Sequence, residues 1–301
     1  MDNVLVLGTS GMLGSMVFDF LSNNSKFHVY GTVRNQDYLK ENIFLFDANH
    51  IEQLDQKKFL DLEIDYIINC IGITKPFCND DDPEGVQRAI KINVLFPWKL
   101  SEFGKKYDIR VIQICTDCVF SGKKGKYNEN DPHDPLDVYG KSKSLGEVFD
   151  GSALLIRCSI IGPEMKNDKN FLLEWFLNQP KGGEIGGFAH HIWNGVTTLQ
   201  FAKLCKKIIK NDKYKELIKN SHIYHFTPNN TINKFELMKR FNDIFKRDLK
   251  INRVFKNDET VDRSLVSKFE KLNKIYGQSN LKKALKELKN YIDESSTFNI
   301  S

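Results

Sequence analysis

An apolar strand that runs straight into three glycines at three-residue spacing leaves few folds open. The chain begins MDNVLVLGTSGMLGSMVFDFL, in which Val4–Leu7 reads as a buried strand. Gly8, Gly11 and Gly14 follow as G-x-x-G-x-x-G, and an amphipathic pattern continues over Gly11–Leu21. Glycines in such a turn let backbone N–H groups approach a pyrophosphate, and the N-terminus of the next helix favours its negative charge. The stretch therefore predicts a dinucleotide site made by Gly8, Ser10, Gly11, Met12, Leu13 and Gly14. The alternative is a tight strand–helix turn without a ligand.

Further strands are expected at Phe27–Val33, Ile43–Phe46, Tyr66–Cys70, Val111–Cys115 and Ala153–Cys158. Helical patterns separate them over Ile51–Leu62, Gln87–Phe103 (with a kink at Pro97) and Tyr139–Phe149. Continuous apolar strands alternating with helices mean a parallel sheet covered on both faces. The fold class is therefore α/β, a Rossmann-type doubly wound parallel sheet that binds ligand at the carboxyl ends of its strands. After Gly162 the alternation stops. Helical segments Phe171–Leu177, Leu199–Lys210, Lys234–Phe245 and Leu281–Asp293 are joined by irregular stretches such as KGGEIGGFAHHIWNG and HFTPNNT. Trp175 reads as part of a helix core. The division is a nucleotide-binding domain over 1–162 and a smaller, mixed α/β substrate-binding lobe over 163–301. Part of 195–230 is able to return to the first domain.

Composition narrows the partners. At 301 residues with 41% hydrophobic residues, the chain buries a sizeable core. No apolar run reaches the roughly 18–20 residues needed to span a membrane. No basic leader precedes the first strand, and the six cysteines lie scattered in apolar segments. Reduced thiols in a cytoplasmic protein are expected. The net charge of +5 comes from lysines interspersed with acids. That pattern suits solvated faces better than a nucleic-acid surface.

The second strand bears on the cofactor. A carboxylate about 20 residues past the glycines would bind the ribose 2′-hydroxyl of NAD. Here YGTVRN offers no acid and instead places Arg34 at that point. Arg34 either pairs with a 2′-phosphate, which selects NADP(H) over NAD(H), or is simply exposed at a strand end. Asp47, closing the third strand, is a candidate partner for the adenine amino group.

Chemistry is suggested by VYGKSKSLGE. Tyr139 and Lys143 are four residues apart, on one face of a helix. A phenol of ordinary pKa near 10 exchanges protons poorly at neutral pH, and an ammonium one turn away stabilises its phenolate. Thr116, at the carboxyl end of Val111–Cys115, supplies a hydroxyl that can address a carbonyl oxygen beside Tyr139.

The segments GTSGMLG, TDCVFSG, GKYNENDPHDPLDVYGKSKSLGE and LIRCSIIG together resemble the extended short-chain dehydrogenase/reductases, in the branch similar to dTDP-4-dehydrorhamnose reductase. The resemblance is specific over the first 162 residues and looser through NGVTTLQFAK and VDRSLVS. It implies NADPH-dependent reduction of a nucleotide-diphosphate 4-keto-6-deoxy sugar in surface-polysaccharide precursor synthesis. Thr116, Tyr139 and Lys143 match the family's triad. Asn93 matches an asparagine of the fourth helix, structural or water-holding and grouped with the substrate contacts. Arg263 either holds the diphosphate or lies on a solvated loop. His191 and Trp193 belong to an aromatic and polar cluster with Phe188, His190 and Asn194, suited to a sugar ring or to loop packing. A homodimer is expected, as the commonest symmetric assembly.

Cys118 separates reactions within the family. Related 4,6-dehydratases resemble one another in a Thr-Asp-Glu run, whereas this chain reads Thr116-Asp117-Cys118. Cys118 either removes a proton beside the keto group, giving a bifunctional C3/C5 epimerase and 4-reductase, or fills a core position. A different class remains: a non-catalytic NADP-binding regulatory subunit. The C-x-x-C of Cys115 and Cys118 reads as neither a redox pair nor a metal site. Alternation turns Cys115 away from Thr116, and no second pair offers zinc spacing.

Overall fold

Val4 and Val6 point to one face of the first strand, Leu5 and Leu7 to the other, and all four are buried. That is the pattern of a strand covered on both sides. In the computed structural model, which describes residues 1–165 and 171–298, this strand, Asp2–Leu7, lies within a seven-stranded parallel sheet. Across the sheet the order is Ile223–His225, Ala153–Arg157, Arg110–Cys115, Tyr66–Asn69, Asp2–Leu7, Phe27–Val33, Ile43–Leu45. The order reverses beside Asp2–Leu7, where chain direction carries Gly8, Ile71 and Thr116 to one edge. This is the switch point at which such sheets bind ligands.

Two apolar layers hold the sheet. Val4, Val6, Met16, Val17, Leu204 and Ile208 pack on one face, joining the helices Met12–Ser22 and Thr198–Lys210 to it. Leu5, Leu7, Phe96, Leu100, Val111 and Cys115 fill the other. Each fully buried aliphatic side chain contributes about 1.5–3 kcal/mol. No helix among the described residues is long and apolar enough to cross a membrane.

Several elements differ from the sequence reading. Ile51–Leu62 is not one helix but a 3₁₀ turn, Ile51–Asp55, and a single α-turn, Lys57–Leu60, with Gln56 extended between them. Only Leu54 and Phe59 are fully buried there, and five residues is not a helical repeat. The third long helix starts early, at Pro83, and widens into a π-helical segment at Ile90–Leu95 before continuing as Phe96–Tyr107. Pro97 cannot donate to the carbonyl four residues back, and the wider turn absorbs what was expected as a kink. The glycine-rich stretch expected to be a loop contains the strands Glu184–Phe188 and His191–Trp193. The first pairs with Lys250–Val254, and the second lies between Ile232–Asn233 and Val261–Asp262. Ile223–His225 joins the main sheet beside Ala153–Arg157. Trp175 is not in a core: it is 41% exposed.

Candidate active site

The glycine turn is tight for a physical reason. A Cβ on Gly14 would sit 2.2 Å from the Gly8 carbonyl oxygen, so the helix Met12–Ser22 approaches the strand end only with glycine there. Thr9 fastens the turn, its N–H and its hydroxyl both donating to the Thr32 carbonyl at 2.9 and 3.1 Å. Gly11 caps the helix without a side-chain bond, while the Ser15 N–H is satisfied by the Gly11 carbonyl. The N–H groups of Met12, Leu13 and Gly14 precede the first intrahelical bond and are available to an anion. Ser10 is half-buried beside them. Arg34 stands exposed just past the strand Phe27–Val33, with no ion pair to a described residue. Asp47 is half-buried and accepts from the Asn49 backbone and side chain through one oxygen, leaving the other for a ligand. This donor set fits a phosphorylated dinucleotide.

Thr116 follows the strand Arg110–Cys115, two places along the sheet from Asp2–Leu7, and opens a short 3₁₀ turn, Asp117–Val119. Its hydroxyl oxygen accepts from the Cys118 N–H at 3.1 Å and lies 3.2 Å from an Asp117 carboxylate oxygen, to which it donates. The helix Val138–Leu145 brings Tyr139 against this turn. Asp137 starts that helix by accepting from the Gly140 N–H at 2.8 Å. Gly140 sets the approach, because a Cβ there would lie 2.3 Å from the Cys118 carbonyl oxygen. Thr116 and Cys118, in the turn that Gly140 packs against, both act on the Tyr139 phenol. Lys143 is buried one turn on, and its Nζ donates to the Ile114 carbonyl at 3.2 Å.

Burial dominates the electrostatics. It pushes the Tyr139 phenol well above the usual tyrosine value, reinforced by Cys118 and opposed by the Thr116 hydroxyl. The sequence reading expected Lys143 to lower this pKa; in the folded site desolvation outweighs such a pull, and Tyr139 stands as a protonated donor. Burial likewise raises Asp117, against the pull of Arg263, Lys234 and Lys75. The Cys118 thiol is pushed up to about 11 by burial and then by Asp117, while Lys75, Arg263 and Thr116 draw it down.

The remaining sequence candidates divide. Arg263 is half-buried, donates from Nε to the Phe120 carbonyl at 2.9 Å, and acts electrostatically on Asp117 and Cys118. His191 is half-buried, with its pKa lowered by desolvation and by His190 and Lys234. Trp193 is buried, and its indole N–H donates to Ser159 Oγ at 2.8 Å. Asn93 corrects its grouping with the substrate contacts. It is buried, and its amide is spent on both the Ile73 N–H and carbonyl and on Ser142 Oγ. Asn93 thus ties the 71–73 segment to the helix Val138–Leu145.

Sequence reasoning missed Lys234, Asp117 and Lys75. Asp117 stands beside Thr116 in sequence, but residue type alone gives it no role. Lys75, whose Nζ meets Asp137 at 2.6 Å across 62 residues, and Lys234, at the start of the helix Lys234–Phe245, carry no local signal. Beneath the site lies a second unannounced cluster. Buried Arg157 grips Glu147 bidentately at 2.8 and 2.6 Å and reaches His225 and His133.

The chain is 28% identical over 239 residues to a dTDP-4-dehydrorhamnose reductase from Aggregatibacter actinomycetemcomitans, spanning 75% of this chain and 74% of that protein. It is 27% identical over 252 residues to methionine adenosyltransferase 2 subunit beta from Danio rerio, spanning 80% and 73%. The solved structure of dTDP-4-dehydrorhamnose reductase from Bacillus anthracis in complex with NADP superposes with a TM-score of 0.77. That match is at 19% identity and covers 98% of this chain and 100% of the other. Oxidoreductases of the short-chain type thus stand among both its sequence relatives and its fold neighbours. The RmlD substrate binding domain family matches residues 1–279, and the chain belongs to it.

Proposed function

We propose that the protein is an NADPH-dependent reductase of the 4-keto group of a nucleotide-diphosphate 4-keto-6-deoxy sugar, acting in the cytoplasm in surface-polysaccharide precursor synthesis. The observation that carries this reading is the packing of the Tyr139 helix against the turn that begins with Thr116, with buried Lys143 one turn on, at the strand ends that also bear the glycine turn. Gly8, Ser10, Gly11, Met12, Leu13 and Gly14 would hold the pyrophosphate, Arg34 the 2′-phosphate, Asp47 the adenine and Lys143 the nicotinamide ribose. NADPH, when bound, supplies the hydride. Thr116 and Tyr139 orient the substrate carbonyl oxygen by donating to it. Tyr139, kept protonated by burial, gives the proton that completes the alcohol. Arg263 and His191 reach the substrate from the second lobe, with Trp193 as a fixed wall behind them.

The test is NADPH oxidation against a panel of dTDP-, UDP-, GDP- and CDP-linked 4-keto-6-deoxy sugars. One of them is turned over, and Tyr139→Phe lowers kcat by roughly 10²–10⁴-fold while NADPH binding is retained. Absence of turnover with the whole panel would reject the reading. It would favour the regulatory-subunit class, which the similarity to methionine adenosyltransferase 2 subunit beta keeps as the second reading. Presence of all three catalytic side chains favours the enzyme. A homodimer is proposed from the exposed Ile90, Leu95, Leu145 and Phe149 on and beside two packed helical segments. Sedimentation of Leu145→Asp as a monomer would support it, and an unchanged state would not.

A further inference from the structure

Lys234 opens the helix Lys234–Phe245, whose start is fixed by Asn233 accepting from the Glu236 N–H at 2.8 Å. The preceding strand, Ile232–Asn233, pairs with His191–Trp193, so the lysine emerges beside Trp193. Its Nζ lies 4.7 Å from the centroid of the Trp193 ring. That ring cannot turn away freely, because its N–H is held by Ser159. Lys234 is half-buried and makes no hydrogen bond or ion pair with a described residue. The groups that act on it are Asp117 and, when ionised, Cys118, both in the turn that begins with Thr116. Lys234 acts on Asp117 in return.

An ammonium held against an indole face, with its N–H donors unused, is expensive to keep out of water. Burial accordingly draws Lys234 down to about 8, while Asp117 and Cys118 hold it up. Perturbed groups of this kind gather where a ligand completes the pairing. The other cations near Asp117 are already engaged. Lys75 pairs with Asp137, and Arg263 donates to Phe120.

We propose that Lys234 is a substrate-binding residue, whose ammonium donates to an electron-rich oxygen of the sugar nucleotide on the Cys118 side of the reacting carbonyl. This rests on the sugar-nucleotide reading of the cleft and extends it: the second lobe supplies a charged donor to the reacting end of the ligand. The donor works in its protonated form. Substrate affinity therefore holds below pH 8 and falls as the amine deprotonates above it. A bound oxygen anion or dipole raises the lysine's pKa further.

Two measurements test this. Lysines of the intact protein are reductively methylated with ¹³C-formaldehyde, and the Lys234 resonance is identified by its loss in Lys234→Arg. It is then titrated with pH alone, with dTDP, UDP, GDP or CDP, and with the corresponding 6-deoxyhexose conjugates, ligand binding being followed by calorimetry. A midpoint near 8 that rises by about one pH unit or more with a bound ligand supports the proposal. A rise with the diphosphate alone assigns the contact to phosphate oxygen; a rise only with the conjugate assigns it to the sugar. Binding without a shift overturns the role of Lys234 and leaves the sugar-nucleotide reading standing. Failure of every nucleotide to bind overturns both. In steady-state kinetics, Lys234→Met raises KM by roughly 10–100-fold, with kcat changed less than KM. Lys234→Arg restores much of the affinity and moves the alkaline limb of kcat/KM upward from pH 8. Equal losses in kcat and kcat/KM in both variants, with the limb unmoved, would overturn the proposal.

Discussion

Acidification should unfasten the network under the site before it touches the site itself, and His225 sets the scale. This imidazole is fully buried. Its Nε2 lies 3.1 Å from an Arg157 Nη, and because the guanidinium can only donate, Nε2 must accept. Its Nδ1 therefore carries the single proton, shared between the Val266 and Tyr127 carbonyls at 2.9 and 3.1 Å. A second proton would face the guanidinium at a fully buried position. Burial, then Arg157, pushes the pKa down to about 4, although Glu129 pulls it up. The unfolded histidine titrates near 6.5. Because the folded pKa is depressed, the stabilisation is complete above about pH 6.5 and drains away as pH falls toward 4. The gap amounts to about 3 kcal/mol, of which about 2 kcal/mol is lost by pH 5. Burial also lowers the pKa of His133, which adds in the same direction. Urea unfolding of the wild type and of His225→Gln, each at pH 7.5, 6.5, 5.5 and 5, measures the difference in slope. The variant is less stable at pH 7.5 but flatter across the series by about 2 kcal/mol. Equal slopes for the two proteins would refute the argument that a neutral His225 is held against Arg157.

Other perturbations read different links. Arg34→Ala should cost roughly 10–100-fold in NADPH affinity and little in NADH affinity, measured by fluorescence titration; an unchanged preference would remove Arg34 from the 2′-phosphate. Gly14→Ala forces a Cβ to within 2.2 Å of the Gly8 carbonyl oxygen, so it should destabilise by about 1–3 kcal/mol and abolish dinucleotide binding under conditions where the variant remains folded. Glu147→Ala leaves buried Arg157 without its carboxylate, and about 3–5 kcal/mol of unfolding free energy should be lost. Turnover in deuterated water should place no deuterium at C3 or C5 of the product; deuterium at either carbon would establish the epimerase–reductase reading.

What the sequence disclosed was local. The glycine turn, the apolar strands and the Tyr139–Lys143 spacing are each written within a dozen residues, so period and turn chemistry expose them. The strand Glu184–Phe188 was hidden because glycine is poor in strand propensity, and pairing with Lys250–Val254 supplies what composition does not. Ile223–His225 is too short to show alternation and is ordered by its neighbour Ala153–Arg157. Lys75 meets Asp137 across 62 residues, and Arg157 meets His225 across 68. Such pairs exist only once the sheet has assembled. The same separation hid Lys234, whose N-capping asparagine announces a helix but not which cleft its first residue faces.

The turn Thr116-Asp117-Cys118 shows why burial, rather than residue type alone, decides the chemistry. A thiol can take a proton from carbon only as thiolate. With burial pushing its pKa up to about 11, the Cys118 thiol is held toward its neutral form at pH 7. Its own neighbour works against it, because Asp117 raises the thiol while the more distant Lys75 and Arg263 only partly compensate. The same desolvation has the opposite consequence one residue type away. It keeps Tyr139 protonated, which is the state a reduction consumes. One buried environment therefore works against a thiolate at Cys118 and in favour of a protonated Tyr139, the direction that the proposed reduction requires.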